Sequence, residues 1–103
     1  MLGIKDLLQQ AQNLQTKMAG LQEELAQRTV VGSSGGDMVT AEVNGAMEVV
    51  SLKIEKELLT GEDQELLEDL IIAAVNDGLG KARDMVAQEV SKLTGGLRIP
   101  GMF

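Results

Sequence analysis

The chain has 103 residues, enough for one domain of ordinary size; 44% of them are hydrophobic and 1%, a single Phe, are aromatic. The absence of His and Cys excludes Ser–His and Cys–His nucleophile pairs, zinc fingers and disulfides, and the absence of Trp and Tyr leaves no platforms for stacking bases. Nine Lys and Arg against sixteen Asp and Glu give a net charge of −7, which by itself disfavours nucleic acid as a partner.

The N-terminal stretch MLGIKDLLQQ lacks the charged and apolar regions of a signal peptide. No apolar run reaches the ~18 residues that span a membrane. We therefore expect a soluble cytoplasmic protein that makes no membrane contact.

The first predicted element is a helix from Ile4 to about Ala26, within an arm over residues 1–27. Apolar residues occupy every a and d position of three heptads, a period typical of helices that pair by knobs-into-holes packing. We predict that this heptad stripe forms a dimer contact through Ile4, Leu7, Ala11, Leu14, Met18, Leu21 and Leu25. The alternative is that the helix lies on the sheet of its own chain.

Residues 28–56 predict a three-stranded antiparallel meander. The β-branched residues 29–31 form a short strand, and the Gly- and Ser-rich residues 32–37 form a loop. The second strand, Met38 to Val43, alternates apolar and polar side chains, with Val39, Ala41 and Val43 on one face.

The dipeptide Asn44-Gly45 predicts a two-residue type I′ turn into a third strand that ends near Ile54. A turn of that length sets Val39 opposite Val50.

The third segment predicts a helix over residues 61–94, starting at a capping-box-like Thr60-Gly61-Glu62-Asp63. Its broad apolar stripe suits one face of the sheet, although Gly78 and Gly80 weaken its middle. We expect residues 95–103, which hold Gly and Pro, to form a flexible tail.

The fold class is therefore α+β, with a long N-terminal helix, the meander and a long C-terminal helix in a single domain over residues 1–103. One helix covers only one face of the sheet. The other face and the heptad stripe both favour a second copy, so we predict a two-fold homodimer.

No motif indicates catalysis. The loop GSSGGD lacks the Gly-Lys-Ser/Thr of a phosphate-binding loop, and the acidic residues that begin the third segment lack the spacing of a calcium loop. Asn76-Asp77 lies in the middle of the last helix and is interpreted as surface residues or a polar contact where elements pack, with a role in binding a partner as the alternative. We predict no enzyme activity, no metal, no cofactor and no small-molecule substrate.

Four stretches together resemble the YbaB/EbfC family of nucleoid-associated proteins. They are LLQQAQNLQTKMAGLQEELAQ, TVVGSSGGDMVTAEVNG, VVSLKIEKELL running into LLEDLIIAAVNDGLGKA, and SKLTGGLRIPGMF, which span essentially the whole chain. The resemblance implies a homodimer with a shared sheet and two projecting helical arms. It also implies binding of double-stranded DNA in the nucleoid of the bacterial cytoplasm.

Without stacking aromatics or an evident recognition helix, we expect sequence-tolerant binding to phosphates and duplex shape, not to base edges. Charge and position select six candidate phosphate contacts: Lys5, Lys17, Arg28, Lys81, Lys92 and Arg98. The alternative function is a dimeric coiled-coil adaptor that binds protein and not DNA.

Overall fold

The computed structural model describes residues 3–95 and confirms the predicted α+β fold, a helix, a three-stranded antiparallel sheet and a helix. The elements are α1 (Ile4–Gln27), β1 (Thr29–Ser34), β2 (Val39–Asn44), β3 (Val49–Ile54), a 3-10 turn (Lys56–Thr60) and α2 (Gln64–Thr94). No helix in this part of the chain is long and apolar enough to cross a membrane. The predictions for the tail after Gly95, including Arg98, lie outside the described residues.

Helix α1 projects from the rest of the molecule. The radius of gyration is 19.6 Å, whereas a compact domain of this size has a radius of about 13 Å. Only the C-terminal end of α1 is fully anchored: Leu25 is 2% exposed, and Ile4 near the tip is 78% exposed. The arm predicted from the heptad pattern is therefore present.

Strand β2 lies at the centre of the sheet, between β1 and β3, and supplies the core. Val39, Ala41 and Val43 are completely buried. Helix α2 packs mainly across β1 and β2, which leaves β3 as an uncovered edge strand with five of its six residues exposed.

The predicted hairpin register is wrong. Val39 pairs with Ile54, not with Val50, and a bulge shifts the ladder between Glu42 and Val43. The turn is longer than two residues because Asn44 Oδ1 accepts the N–H groups of Ala46 at 2.9 Å and Glu48 at 3.1 Å. This side-chain turn replaces the predicted type I′ geometry, and positive φ occurs at Met47 and not at Gly45.

Strand β1 is also longer than predicted, since Gly32–Ser34 pair with β2 instead of forming a loop. The loop shortens to residues 35–38. Gly32 pairs with Ala41 in the strand, at a position where the backbone of α2 approaches closely.

The contact between α2 and the sheet depends on small residues. Ala74, Gly78 and Ala82 recur every fourth position and are buried against the strands. A Cβ added to Gly32 would clash with the backbone of Gly78 and Ala74, and one added to Gly78 would lie 2.7 Å from Val43 Cγ2. Gly78 is therefore not a weak point in an otherwise regular helix but the residue that allows close packing.

Helix α2 starts at Gln64, three residues later than predicted. The predicted capping box is wrong, because Gly61 adopts φ 80° and ends the preceding 3-10 turn. The N-cap is Asp63, whose Oδ1 accepts the N–H of Leu66 at 3.0 Å.

We predict that Gly32→Ala lowers the free energy of unfolding by about 1–3 kcal/mol, because the clashing atoms are backbone atoms that cannot move aside. Gly80→Ala is the matched control: a Cβ at Gly80 meets nothing within 4 Å, so this variant should gain up to about 1 kcal/mol from helix propensity. Urea unfolding at one fixed protein concentration measures both. Equal changes in the free energy of unfolding for the two variants would contradict the close-packing explanation.

Candidate nucleic-acid interface

The structure spreads the predicted phosphate contacts over the molecule. Lys5 and Lys17 lie on the α1 arm, Arg28 follows its last turn, and Lys81 and Lys92 lie on α2. Arg98 lies outside the described residues. Helical spacing places Lys81 and Lys92 on one face of α2, but Lys81 pairs with Asp77 and Lys92 pairs with Glu89. Glu89 also pairs with Arg28, so the fold brings Arg28 and Lys92 together.

Glu89 connects Arg28 and Lys92. Its Oε1 atom lies 3.2 Å from Arg28 Nη1 and 3.2 Å from Lys92 Nζ. The Glu89 side chain is 21% exposed, Arg28 is 44% exposed and Lys92 is 73% exposed, so the cations face solvent more than the carboxylate does. The hydrogen bond from Lys92, followed by that from Arg28, holds the pKa of Glu89 below its ordinary value. We call these three residues the Glu89 cluster.

Lys81 has a structural role at the free edge of β1. Its Nζ lies 3.1 Å from Asp77 Oδ2 and donates to the carbonyl oxygen of Val31 at 3.1 Å. The same Asp77 oxygen accepts the N–H of Ser33 at 3.0 Å. Asp77 and Lys81 therefore satisfy backbone groups that point away from β2, and the interpretation of Asp77 as a polar contact at a packing junction is confirmed.

The edge at β3 has no comparable protection among residues 3–95. Val49 is 46% exposed, Val50 is 54% exposed and Leu52 is 41% exposed. An edge strand with uncovered apolar side chains is a place where another chain can pair. The two edges of this sheet thus differ: β1 is capped by side chains of α2, and β3 is open.

The sheet face away from α2 carries a cation that sequence reasoning missed. Glu42 at its centre accepts hydroxyl hydrogen bonds from Thr29 and Ser51, each 3.1 Å long. Lys53 pairs with Thr40 next to them and borders the same shallow depression. Ser51 and Lys53 are two residues apart on β3, and this spacing was the sequence pattern that could have predicted Lys53 on the same face as Ser51. For Glu89, the signal was its i,i+3 spacing to Lys92.

The heptad stripe divides into a root and a tip. At the root, Leu25 is buried and its carbonyl oxygen accepts the N–H of Gly45 at 2.9 Å, which ties α1 to the hairpin turn. Leu14, Met18 and Leu21 are half-buried, whereas Ile4, Leu7 and Ala11 are exposed. The root therefore serves contacts within the chain, and the tip is uncovered. The dimer contact itself stays a prediction.

The described residues contain no group of three or more side chains placed to hold a metal ion. The acidic residues that open α2 include the N-cap Asp63, whose carboxylate is engaged with the helix backbone.

The model of the YbaB/EbfC DNA-binding family matches residues 1–97. A nucleoid-associated protein of Syntrophobacter fumaroxidans is 55% identical over 95 residues, which are 92% of this chain and 86% of the relative. A nucleoid-associated protein of Desulfotalea psychrophila is 46% identical over 101 residues, 98% of this chain and 95% of the relative.

The fold is also similar to a solved structure. The crystal structure of the uncharacterized protein HP0035 from Helicobacter pylori matches with a TM-score of 0.81 and 25% sequence identity. The match covers 92% of this chain and 100% of the other, so the arm, sheet and second helix recur together.

We predict that Asp77→Asn destabilises the fold at pH 7 and that the difference from wild type shrinks as the solution is acidified below about pH 4. The N–H of Ser33, followed by Lys81, holds the pKa of Asp77 below its ordinary value. A carboxyl group of this kind stabilises the fold above its unfolded pKa and loses that effect as the pH falls through its folded pKa.

Thermal unfolding at pH 7 and at about pH 3 measures the effect. Asp84→Asn is the control, because the structure gives Asp84 no ion pair or side-chain hydrogen bond within residues 3–95. A difference between Asp77→Asn and wild type that is the same at both pH values would contradict the prediction.

Proposed function

This chain belongs to the YbaB/EbfC DNA-binding family, and on that basis we propose that it binds double-stranded DNA as a nucleoid-associated homodimer in the bacterial cytoplasm. The family is a DNA-binding family, and several bacterial relatives bear the name nucleoid-associated protein. The proposed role is binding without catalysis, by one domain composed of the arm, the meander and the second helix.

The observation that carries the proposal is the projecting arm with its cations. Lys5 lies near the tip of α1 and Arg28 at its root, with Lys17 between them. At the rise of an α-helix these two ends are about 35 Å apart, the length of one turn of duplex DNA. An arm of this length spans one turn of a rod-shaped partner, and its cations, which the helical spacing places on different faces, can reach phosphates on different sides of the arm.

Contacts to phosphates and to duplex shape explain how so acidic a chain can bind DNA. Phosphates are neutralised by nearby Lys and Arg and not by the average charge of the protein. The sequence offers one Phe and no Trp or Tyr, so base stacking is not the basis of recognition. We therefore propose binding that tolerates many sequences.

A second copy would cover the surfaces that this chain leaves apolar and exposed. These are the tip of the heptad stripe, with Ile4 at 78% and Leu7 at 54% exposure, and the edge strand β3. Since Asp77 and Lys81 occupy the other edge, a shared sheet would form at β3. The two arms would then project from one central body and present their cations to the duplex.

We predict that the dimer binds labelled duplex DNA at about 50 mM salt and loses most of its affinity by about 200 mM, because binding releases counterions. Replacing Lys5 and Lys17 together by Gln should weaken binding to unrelated sequences equally and make the salt dependence less steep, by about 0.9 in slope for each phosphate that is no longer neutralised. The control is Lys56→Gln with Arg83→Gln, which removes the same charge from the 3-10 turn and α2.

Absence of binding by wild type at low salt and tens of micromolar dimer would overturn the DNA proposal. With an intact dimer, that result would favour a protein-binding adaptor instead. An equal loss of affinity in both double variants would contradict the role given to the arm.

We predict that Leu7→Ser shifts the monomer–dimer equilibrium toward monomer, because Leu7 is half-exposed in one chain and belongs to the proposed contact. Sedimentation velocity over a range of concentrations measures the shift. Gln9→Ser is the control, since Gln9 lies on the opposite side of α1. A wild-type protein that sediments only as a monomer would overturn the homodimer.

A further inference from the structure

We propose that Glu89 sets the affinity for DNA by competing with phosphate for Arg28 and Lys92. The inference rests on the proposed function and adds a residue to it: the Glu89 cluster is a phosphate-contact site whose cations are partly neutralised in the free protein. Two cations share one carboxylate oxygen at 3.2 Å each, so the cluster keeps a net positive charge.

The geometry leaves both cations able to reach a phosphate. Lys92 donates one N–H group to Glu89 and Arg28 forms an ion pair with it through Nη1, and Arg and Lys side chains have further donors. The exposed fraction of the side chain is 21% for Glu89, 44% for Arg28 and 73% for Lys92. A phosphate that approaches from solvent therefore meets the cations before it meets the carboxylate.

The cluster lies where the arm meets the rest of the molecule. Arg28 directly follows α1, and Lys92 is in the last turn of α2. A duplex held along the arms would therefore pass next to the cluster where it approaches the central body. Ion pairs this exposed are weak, so a phosphate can replace Glu89 as the partner of either cation.

The ion pair between Lys81 and Asp77 differs from those of Glu89 and does not form a second phosphate-contact site. Lys81 also donates to the Val31 carbonyl, and Asp77 accepts the Ser33 N–H. Releasing Lys81 would leave the edge of β1 without its side-chain partners. The ion pairs of Glu89 are made to side chains alone.

The decisive experiment is a salt titration of duplex binding with Glu89→Gln and Asp84→Asn. Both variants remove one negative charge from α2, but only the first releases Arg28 and Lys92. We expect Glu89→Gln to bind duplex DNA several-fold more tightly at about 50 mM salt. The slope of log affinity against log salt concentration should be steeper by about 0.9 for each additional phosphate that is neutralised. Asp84→Asn should change the affinity less and leave the slope as in wild type.

Glu89→Asp provides a variant of unchanged charge. The shorter side chain cannot reach both cations, so we expect an intermediate increase in affinity that net charge cannot explain. It also tests the inference if Glu89→Gln is too unstable to assay, which circular dichroism melts will show.

The increase in affinity should depend on the two cations. In a chain that already carries Arg28→Gln and Lys92→Gln, adding Glu89→Gln should have no effect beyond that of Asp84→Asn. An increase that persists in this background would overturn the inference, as would equal affinities for wild type, Glu89→Gln and Glu89→Asp.

The failure of the two proposals can be told apart. Wild-type binding without any effect at Glu89 overturns only the role of Glu89. Absence of binding by every variant at low salt overturns the DNA proposal and this inference with it.

Discussion

The close approach of α2 to the sheet is the constraint on which the rest of the structure depends. Gly32 and Gly78 leave no room for a Cβ where the helix crosses β1, so the helix axis lies nearer the strands than larger residues would allow. This position puts Asp77 and Lys81 within reach of the β1 edge and Glu89 within reach of Arg28. It also leaves β3 outside the cover of the helix.

The two edges of the sheet differ, which provides a physical reason for a second copy to pair at β3 and not at β1. On β1, an ion pair satisfies backbone groups that would otherwise invite another strand. On β3, Val49, Val50 and Leu52 are exposed. The exposed tip of α1 adds a second apolar surface, so a partner copy would cover two surfaces that the single chain cannot cover.

Net charge was a poor guide to the partner. The value of −7 disfavours nucleic acid, yet the chain belongs to a DNA-binding family. Electrostatic attraction to a phosphate is screened within about 10 Å at moderate salt, so the local arrangement of cations matters more than the total. In this chain the local arrangement includes carboxylates that hold Arg28, Lys81 and Lys92.

The sequence by itself determined the order of elements, the fold class, the arm and the family, because hydrophobic periods, β-branched runs and long shared stretches are properties of neighbouring residues. It did not determine the hairpin register, because the Asn44 side chain forms a turn of its own. It did not determine the length of β1, because Gly32 pairs in the strand where α2 packs closely. It did not determine the start of α2, because Gly61 adopts a left-handed backbone conformation and ends the preceding 3-10 turn. The pairs Asp77–Lys81 and Glu89–Lys92 lie within one turn of α2, but only the tertiary structure decided that Arg28 is also held by a carboxylate and that Lys81 reaches the β1 edge. Arg28 meets Glu89, and Lys81 meets Val31, across long separations in the chain, and such pairs follow from how α2 packs and not from any local pattern.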